Sequence, residues 1–327
     1  MHADELQHWA TELGARAGRG DACFFLLDFE LAAPRLWTLP EAAAAGLRFA
    51  FPGQAAAPVA PPTSPGVLRY LPPTPEAYAE AFRIVQQGLH HGDSFLTNLT
   101  FASRILDGPT LDEAYAVSDA KYRILWPEHF VCFSPETFVT IDPAGYIETR
   151  PMKGTAPATP EGRAYLLRSP KEIAEHATIV DLMRNDLSRV ARAVRVTEYR
   201  YLREVDRGGS GLLQTSSRVG GQLPPDWAAR LGQLLLELLP AGSVSGAPKA
   251  ATLDLIRAAE AGPRGYYCGV AGYFDGRRLD SCVLIRFIEQ RADGSRWFRS
   301  GGGVTARSRE AEEYRELLDK IRLPRRK

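Results

Sequence analysis

Segments that read as strands come in clusters along this chain and never settle into a one-to-one alternation with helices. That pattern favours an α+β fold over a doubly wound parallel sheet, because clustered strands pair antiparallel with near neighbours. Cys23 to Phe29 (CFFLLDF) is a short apolar run of buried-strand character, and Leu47 to Phe51 is a second. The Ala/Pro-rich stretch Phe51 to Pro73 favours extended, poorly packed backbone and reads as a loop. After it, Thr74 and Pro75 supply an N-cap and a first-turn proline. Tyr78, Phe82, Val85 and Leu89 then recur at helical spacing as far as Gly92. Phe95 to Ile105 alternates and is rich in Thr and aromatics, as a strand should be.

Further on, Ser169-Pro170-Lys171-Glu172 predicts a capping box opening a helix, with Ile173, Ala177, Val180 and Leu187 as its apolar stripe. Helices are also expected over Pro225 to Leu239 and Pro248 to Ala261. Tyr266 to Phe274 and Leu279 to Glu289 read as a strand pair around Asp275-Gly276. Arg296 to Ser300 reads as another strand, followed by the Gly301-Gly302-Gly303 run and a last helix, Ser308 to Ile321. Residues 1–73 supply strands and a loop, residues 74–327 the main body, and the two are expected to pack as one domain.

Forty basic residues against thirty-nine acidic ones give a formal charge of +1, which offers no field for nucleic acid or an anionic membrane. Any anionic ligand must be held by local groups. Cys23, Cys132, Cys268 and Cys282 are far apart and form no CxxC pair, so reduced, buried thiols are expected rather than a disulfide framework or a thiolate metal site. Met1 to Arg19 carries charge throughout and has no apolar signal-peptide core, and no run approaches the roughly 18 apolar residues of a membrane span. A cytoplasmic location is the expectation.

The chemistry concentrates in Arg150-Pro151-Met152-Lys153-Gly154-Thr155 and in Glu175 to Asp186 (EHATIVDLMRND). Lys153 stands between a proline that fixes one φ and a glycine that permits close backbone approach. Burial and the nearby Arg150 charge would keep its amine partly neutral, and so nucleophilic. Glu136 follows the apolar run Phe130 to Phe133, hence at a strand end. Glu313 and Glu316 are three apart, on one side of the last helix, with Tyr314, Leu317, Leu318 and Ile321 on its apolar side. Read alone, the two glutamates are a solvated face, with Glu316 four residues before Lys320.

These segments, with Pro135-Glu136, Pro240 to Lys249 (PAGSVSGAPK), Arg264 to Gly272 (RGYYCGVAG), Ser281 to Arg286 and Ser300 to Lys320, together resemble the chorismate-utilising enzymes. That family includes anthranilate, isochorismate, salicylate and aminodeoxychorismate synthases. The resemblance implies two antiparallel sheets packed face to face with helices outside, like anthranilate synthase component I, with a shortened N-terminal region and the site in a cleft. Lysine before the Gly-Thr pair marks the aminodeoxychorismate synthase branch. There, by resemblance, Lys153 adds to C2 of chorismate and Glu136 protonates the departing C4 hydroxyl. The resemblance also implies that Glu175, Glu313 and Glu316 bind Mg²⁺, which would hold the ring carboxylate. Chorismate is a dianion, so a second anion site is needed. Arg286 at a strand end, Tyr267 and the backbone of Gly301, Gly302 and Gly303 can supply it, while Gly242 and Ser243 line the cleft.

Two departures bear on the branch. Water-adding relatives carry a lysine where this chain has Leu96, which argues against isochorismate or salicylate synthesis. Many amine-forming relatives carry histidine where this chain has Gln214. His176 neighbours a presumed ligand but points elsewhere on its helix, so it reads as structural. No Cys/His glutaminase signature is present, so the resemblance implies a separate glutamine amidotransferase subunit, with free ammonia as substitute. Anthranilate synthase component I is the nearest rival, and a non-catalytic chorismate-binding subunit is a second.

Overall fold

The computed structural model describes residues 2–54, 67–205 and 211–323. The chain opens with α1 (His2–Arg19), β1 (Cys23–Leu27), β2 (Arg35–Thr38), α2 (Leu39–Ala44), β3 (Arg48–Ala50), β4 (Arg69–Leu71), α3 (Pro75–His91), β5 (Leu96–Asp107) and α4 (Leu111–Val117). Then come β6 (Tyr122–Trp126), β7 (Phe130–Ser134), β8 (Thr137–Ile141), β9 (Tyr146–Thr149), β10 (Met152–Pro157), α5 (Pro160–Arg168), α6 (Pro170–Leu187), β11 (Arg192–Val205) and β12 (Leu212–Gln222). It closes with α7 (Leu231–Leu238), β13 (Gly246–Ala247), α8 (Lys249–Ala259), β14 (Val270–Phe274), β15 (Leu279–Val283), β16 (Phe287–Gln290), β17 (Arg296–Val304) and α9 (Glu310–Asp319).

Among the described residues, one sheet runs β10-β12-β9-β8-β15-β14-β1-β2 with β11 also on β12, and the other runs β13-β5-β17-β16-β7-β6-β3 with β4 on β5. Every pair is antiparallel. The strand period of two explains why runs such as FVCF are apolar throughout. In β7, Phe130 and Cys132 enter the core shared by the two sheets, while Val131 and Phe133 join Leu111, Ala114 and Tyr115 of α4 on the outer face. Each such ring buried from water contributes about 1.5–3 kcal/mol. The architecture is the expected α+β one, two antiparallel sheets with helices outside.

The helix from Thr74 forms as its caps dictate. Thr74 accepts from Ala77 N–H, Gly92 ends the helix at φ 94°, and Tyr78, Phe82, Val85 and Leu89 are buried. Elsewhere the structure corrects the sequence reading. In α6 the buried face is His176, Ile179, Val180, Leu182, Met183, Asp186 and Leu187, whereas Ile173 and Ala177 are exposed. Ser169 accepts from Glu172 N–H, but the Glu172 carboxylate takes the Tyr165 hydroxyl (3.2 Å) instead of closing a capping box. The leucine-dense helix starts only at Leu231, after a 3₁₀ turn at Ala228–Arg230. Part of the expected loop pairs as β4 against β5, and its residues 55–66 lie outside the described ones.

The expected strand Leu279 to Glu289 is broken. β15 belongs to the first sheet and β16 to the second, and the chain crosses at Leu284 to Arg286, with Arg286 in the left-handed region at φ 57°. Tyr266 to Gly269 form a turn before β14, closed by Gly269 N–H to Tyr266 O (3.0 Å). The glycine run lies inside β17, paired with β5. The helix α1 had no counterpart in the sequence reading. Its Trp9, Leu13 and Ala17, four apart, are buried, and Trp9 meets Phe25 edge-on at 5.6 Å.

All four cysteines are free and buried. Burial pushes the thiols of Cys23 and Cys268 up to about 12 and those of Cys132 and Cys282 higher still. Among the described residues no helix is long and apolar enough to cross a membrane. One buried ion pair ties the end of α8 and the turn at Val244 to β5: Arg264 bonds Glu260 at 2.6 Å, Val244 O at 2.7 Å and Asn98 O at 2.5 Å. Glu260→Ala strands that guanidinium without its countercharge, and is expected to cost about 3–5 kcal/mol in urea denaturation. A loss within a few tenths of a kcal/mol would mean the pair contributes nothing.

Candidate active site

Lys153 owes its direction to an irregularity in β10. The register against β12 shifts between Met152 and Thr155, and Gly154 takes φ 88°, a left-handed conformation that favours glycine, with the Glu172 carboxylate packed against it. Such a bulge re-aims a side chain that a regular strand would point elsewhere. The Lys153 ammonium lies 3.2 Å from Glu175 of α6 and 3.7 Å from where a Cβ on Gly303 would sit. The end of the first sheet thus meets the glycine run of the second.

Here the structure corrects the electrostatic expectation. Burial alone would push the Lys153 amine down, but Glu175, Glu316 and Glu313 outweigh it and the net shift is upward. Arg150, expected to help neutralise the amine, is paired instead with Glu148 at 2.6 Å. In this arrangement Lys153 is an ammonium.

The three glutamates border the same space without sharing one centre. Carboxylate oxygens of Glu313 and Glu316 stand 3.6 and 3.7 Å from the position a Cβ on Gly302 would take, so this glycine is the floor of their cradle. Glu313 accepts from Ser308 Oγ (2.7 Å) and Glu316 binds Lys320 (2.8 Å). Among the described residues no three His, Cys, Asp or Glu side chains are gathered as a metal site, each carboxylate here being drawn to its own donor. Carboxylate oxygen is the donor chemistry a hard divalent cation takes, with Glu313 and Glu316 over a side-chain-free floor and Glu175 facing them from α6 across Lys153.

Lys320 is the residue the sequence reading passed over, treating it only as a surface partner of Glu316. Its ammonium also donates to Gly301 O at 2.6 Å, and burial, opposed by Glu316, holds it below the usual lysine range. The available signal was its place one and two turns beyond Glu316 and Glu313 on one helical face.

Glu136 sits between β7 and β8 and accepts from Ser243 Oγ at 2.5 Å. Burial pushes its carboxyl up, more than Ser243, Lys320 and Lys121 pull it down. That is the direction a proton donor needs. Gly242 packs flush on α6, where an added Cβ would meet Asp186 and Met183 at 2.8 Å, and the Asp186–Lys249 pair (3.0 Å) fastens this turn from below.

Arg286 is found in the crossover between sheets, not at a strand end, and donates to Lys320 O (2.9 Å). Tyr267 is buried against Phe287 (centroids 6.0 Å apart) beneath the Arg299 guanidinium. Gly301 and Gly302 pair with Thr100 and Leu99 of β5, so backbone groups alternate in direction and only part of the run faces the cleft. His176 is fully buried, its Nε2 2.7 Å from Ser217 Oγ, and burial pushes it down to about 4. Gln214 is half-buried opposite Thr155. Leu96 reaches to 3.1 Å from the Gly303 Cβ position, on the side where Lys153 also arrives.

The chain is 47% identical over 304 residues to an uncharacterized PabA-like protein of Pasteurella multocida, covering 92% of this chain and 93% of that one. It is 37% identical over 265 residues to aminodeoxychorismate synthase component 1 of Klebsiella aerogenes, covering 75% of this chain but only 56% of the enzyme. Among solved structures it is similar to anthranilate synthase component I from Streptococcus pneumoniae, with a TM-score of 0.65 and 28% identity over 79% of this chain and 59% of that one. The profile described as chorismate binding enzyme matches residues 27–326, and the chain belongs to that family.

Proposed function

We propose that this protein is the chorismate-binding component of an aminodeoxychorismate synthase, converting chorismate and ammonia to 4-amino-4-deoxychorismate for p-aminobenzoate and folate synthesis. The observation that carries the reading is Lys153, aimed by its bulge into a cleft of carboxylates. In the proposed reaction, the Lys153 lone pair attacks C2, both ring double bonds shift, from C1–C2 to C1–C6 and from C5–C6 to C4–C5, and the C4 hydroxyl leaves as water with a proton from Glu136. Ammonia then attacks C4 and the C2–N bond to Lys153 breaks, returning the electron pair to nitrogen. Arg286, Lys320 and the cleft-facing groups of Gly301, Gly302 and Gly303 would hold the enolpyruvyl carboxylate, with Ser243 orienting Glu136. Tyr267 would support this pocket from beneath, and the Gly242 turn places Ser243. Mg²⁺ held by Glu175, Glu313 and Glu316 would bind the ring carboxylate and cancel the charge that keeps Lys153 protonated. Ammonia would come from a glutamine amidotransferase subunit.

The test is incubation with chorismate, Mg²⁺ and ammonium, with the product identified by mass. Aminodeoxychorismate with its enolpyruvyl group retained is expected. Efficient anthranilate formation with release of pyruvate would overturn the assignment in favour of the anthranilate branch, to which the Streptococcus structure belongs.

The metal assignment makes its own demand. Glu175→Gln and Glu316→Gln are each expected to lower Mg²⁺-dependent turnover roughly a hundredfold, while Glu312→Gln leaves it within about twofold. Glu312 is exposed and faces Lys171 at 3.9 Å, about 100° around the helix from Glu313. Equal, small effects at all three positions would favour a solvated carboxylate face.

A further inference from the structure

Ser217 of β12 has a bulged strand on each side of it. On one side its N–H donates to Pro151 O (3.1 Å), just before the register shift in β10 that aims Lys153. On the other, β11 shifts register between Glu198 and Tyr201, and Arg200 enters the left-handed region at φ 51°. The Arg200 N–H is thereby turned onto Ser217 Oγ at 2.9 Å. A left-handed arginine is strained, and such a residue persists where its surroundings over-determine it, commonly beside a functional site. Here its guanidinium also donates to Leu166 O at 2.6 Å, and the Leu166 side chain lies against Gly154.

His176 closes the arrangement from α6, fully buried and with Nε2 2.7 Å from Ser217 Oγ. Ser217 Oγ accepts the Arg200 N–H and has one proton of its own to give; given to Nε2, it leaves the imidazole proton on Nδ1. That Nδ1 is shielded from water without a full hydrogen bond, and while burial disfavours a charged ring, the Lys153 backbone beside it favours ring protonation. Glu175, the preceding residue, lies 3.2 Å from the Lys153 ammonium. Consecutive residues of α6 thus reach the two ends of one lysine, Glu175 its ammonium and His176 its main chain.

We propose that His176 and Ser217 are positioning residues for Lys153, joined in a chain of hydrogen bonds that runs from the Arg200 amide through Ser217 Oγ–H to His176 Nε2 and sets Nδ1–H toward the Lys153 main chain. The chain locks the β10 bulge, and with it the direction of the Lys153 amine. Its effect on chemistry rests on the reading of Lys153 as nucleophile, whereas its effect on the bulge does not.

Hydrogen exchange of the whole protein without substrate, read by mass on the peptide containing Met152 to Ala156, tests the lock. Ser217→Ala and His176→Leu are each expected to speed exchange there at least roughly tenfold. His176→Gln, whose amide can still reach Ser217, should restore part of the protection. Ser281→Ala removes a buried hydroxyl that donates to Val139 O (2.6 Å) elsewhere in the same sheet, and should leave that peptide unchanged. With chorismate and Mg²⁺, Ser217→Ala and His176→Leu should lower kcat and the rate of Lys153 adduct formation by roughly tenfold to a hundredfold, with the chorismate KM within about twofold. General loss of stability would not give that split. Unchanged exchange in both variants would overturn the proposal whatever the enzyme makes, and so would faster exchange accompanied by wild-type kcat and adduct rate. Should the wild type form neither adduct nor aminodeoxychorismate, the proposed reaction falls and the exchange rates alone decide the lock.

Discussion

Lys153→Ala is expected to lower aminodeoxychorismate synthesis on the order of a hundredfold or more, leaving only direct attack by ammonia. The wild-type protein, given chorismate and Mg²⁺ without ammonia, should carry an adduct on the peptide containing Lys153. Its mass should be that of chorismate less water, because the C4 hydroxyl has left while nitrogen remains bound at C2. The variant should show no adduct yet still bind chorismate through Arg286 and the β17 backbone. Because the surrounding carboxylates hold the Lys153 proton more tightly than an ordinary lysine's, adduct formation without Mg²⁺ should speed up as pH rises, with the climb continuing beyond the usual lysine range. Unchanged turnover in Lys153→Ala together with an unmodified wild-type peptide would reduce this lysine to an electrostatic contact.

Glu136→Gln is expected to lower kcat by on the order of 10²-fold with KM little changed, since the amide can still accept from Ser243 but has no proton to give. The wild-type rate should fall as pH rises through the elevated carboxyl pKa, and the variant should lack that limb. A second, independent readout follows from linkage. The folded carboxyl holds its proton above the ordinary carboxylate range, so its contribution to stability is complete below the unfolded value and is lost as pH rises through the folded value. Glu136→Gln cannot ionise, and should therefore gain on wild type in thermal stability between acid and neutral pH. A variant with wild-type kcat and an intact alkaline limb would remove Glu136 from the mechanism.

How far the sequence could be read depended on whether the deciding neighbours were near in the chain. The helix after Thr74 was readable because its N-cap, its proline and its terminal glycine are all local signals. The strands β1 and β7 were readable because burial on both faces leaves no polar interruption. The phase of α6 was not. Counting apolar residues picked Ile173 and Ala177, whereas the real inner face includes His176 and Asp186, satisfied by Ser217 and Lys249 from distant segments. The break at Arg286 was invisible because one left-handed residue suffices to change sheets, without a proline or glycine to mark it. The candidate site residues were found as motifs, but their electrostatics were not. Lys153 answers to Glu175 and Glu316, which fold in from α6 and α9, and not to Arg150 three residues away.

The four buried thiols turn the protein into its own unfolding gauge. With their pKa values pushed to about 12 or beyond, they form almost no thiolate near neutrality, and a thiol-alkylating reagent meets none of them until the chain opens. Cys23 and Cys282 sit in the first sheet, Cys132 in the second, and Cys268 in the turn that precedes β14. Timed alkylation followed by peptide mass analysis therefore reads out, thiol by thiol, whether the two sheets come apart together or one releases its cysteines ahead of the other.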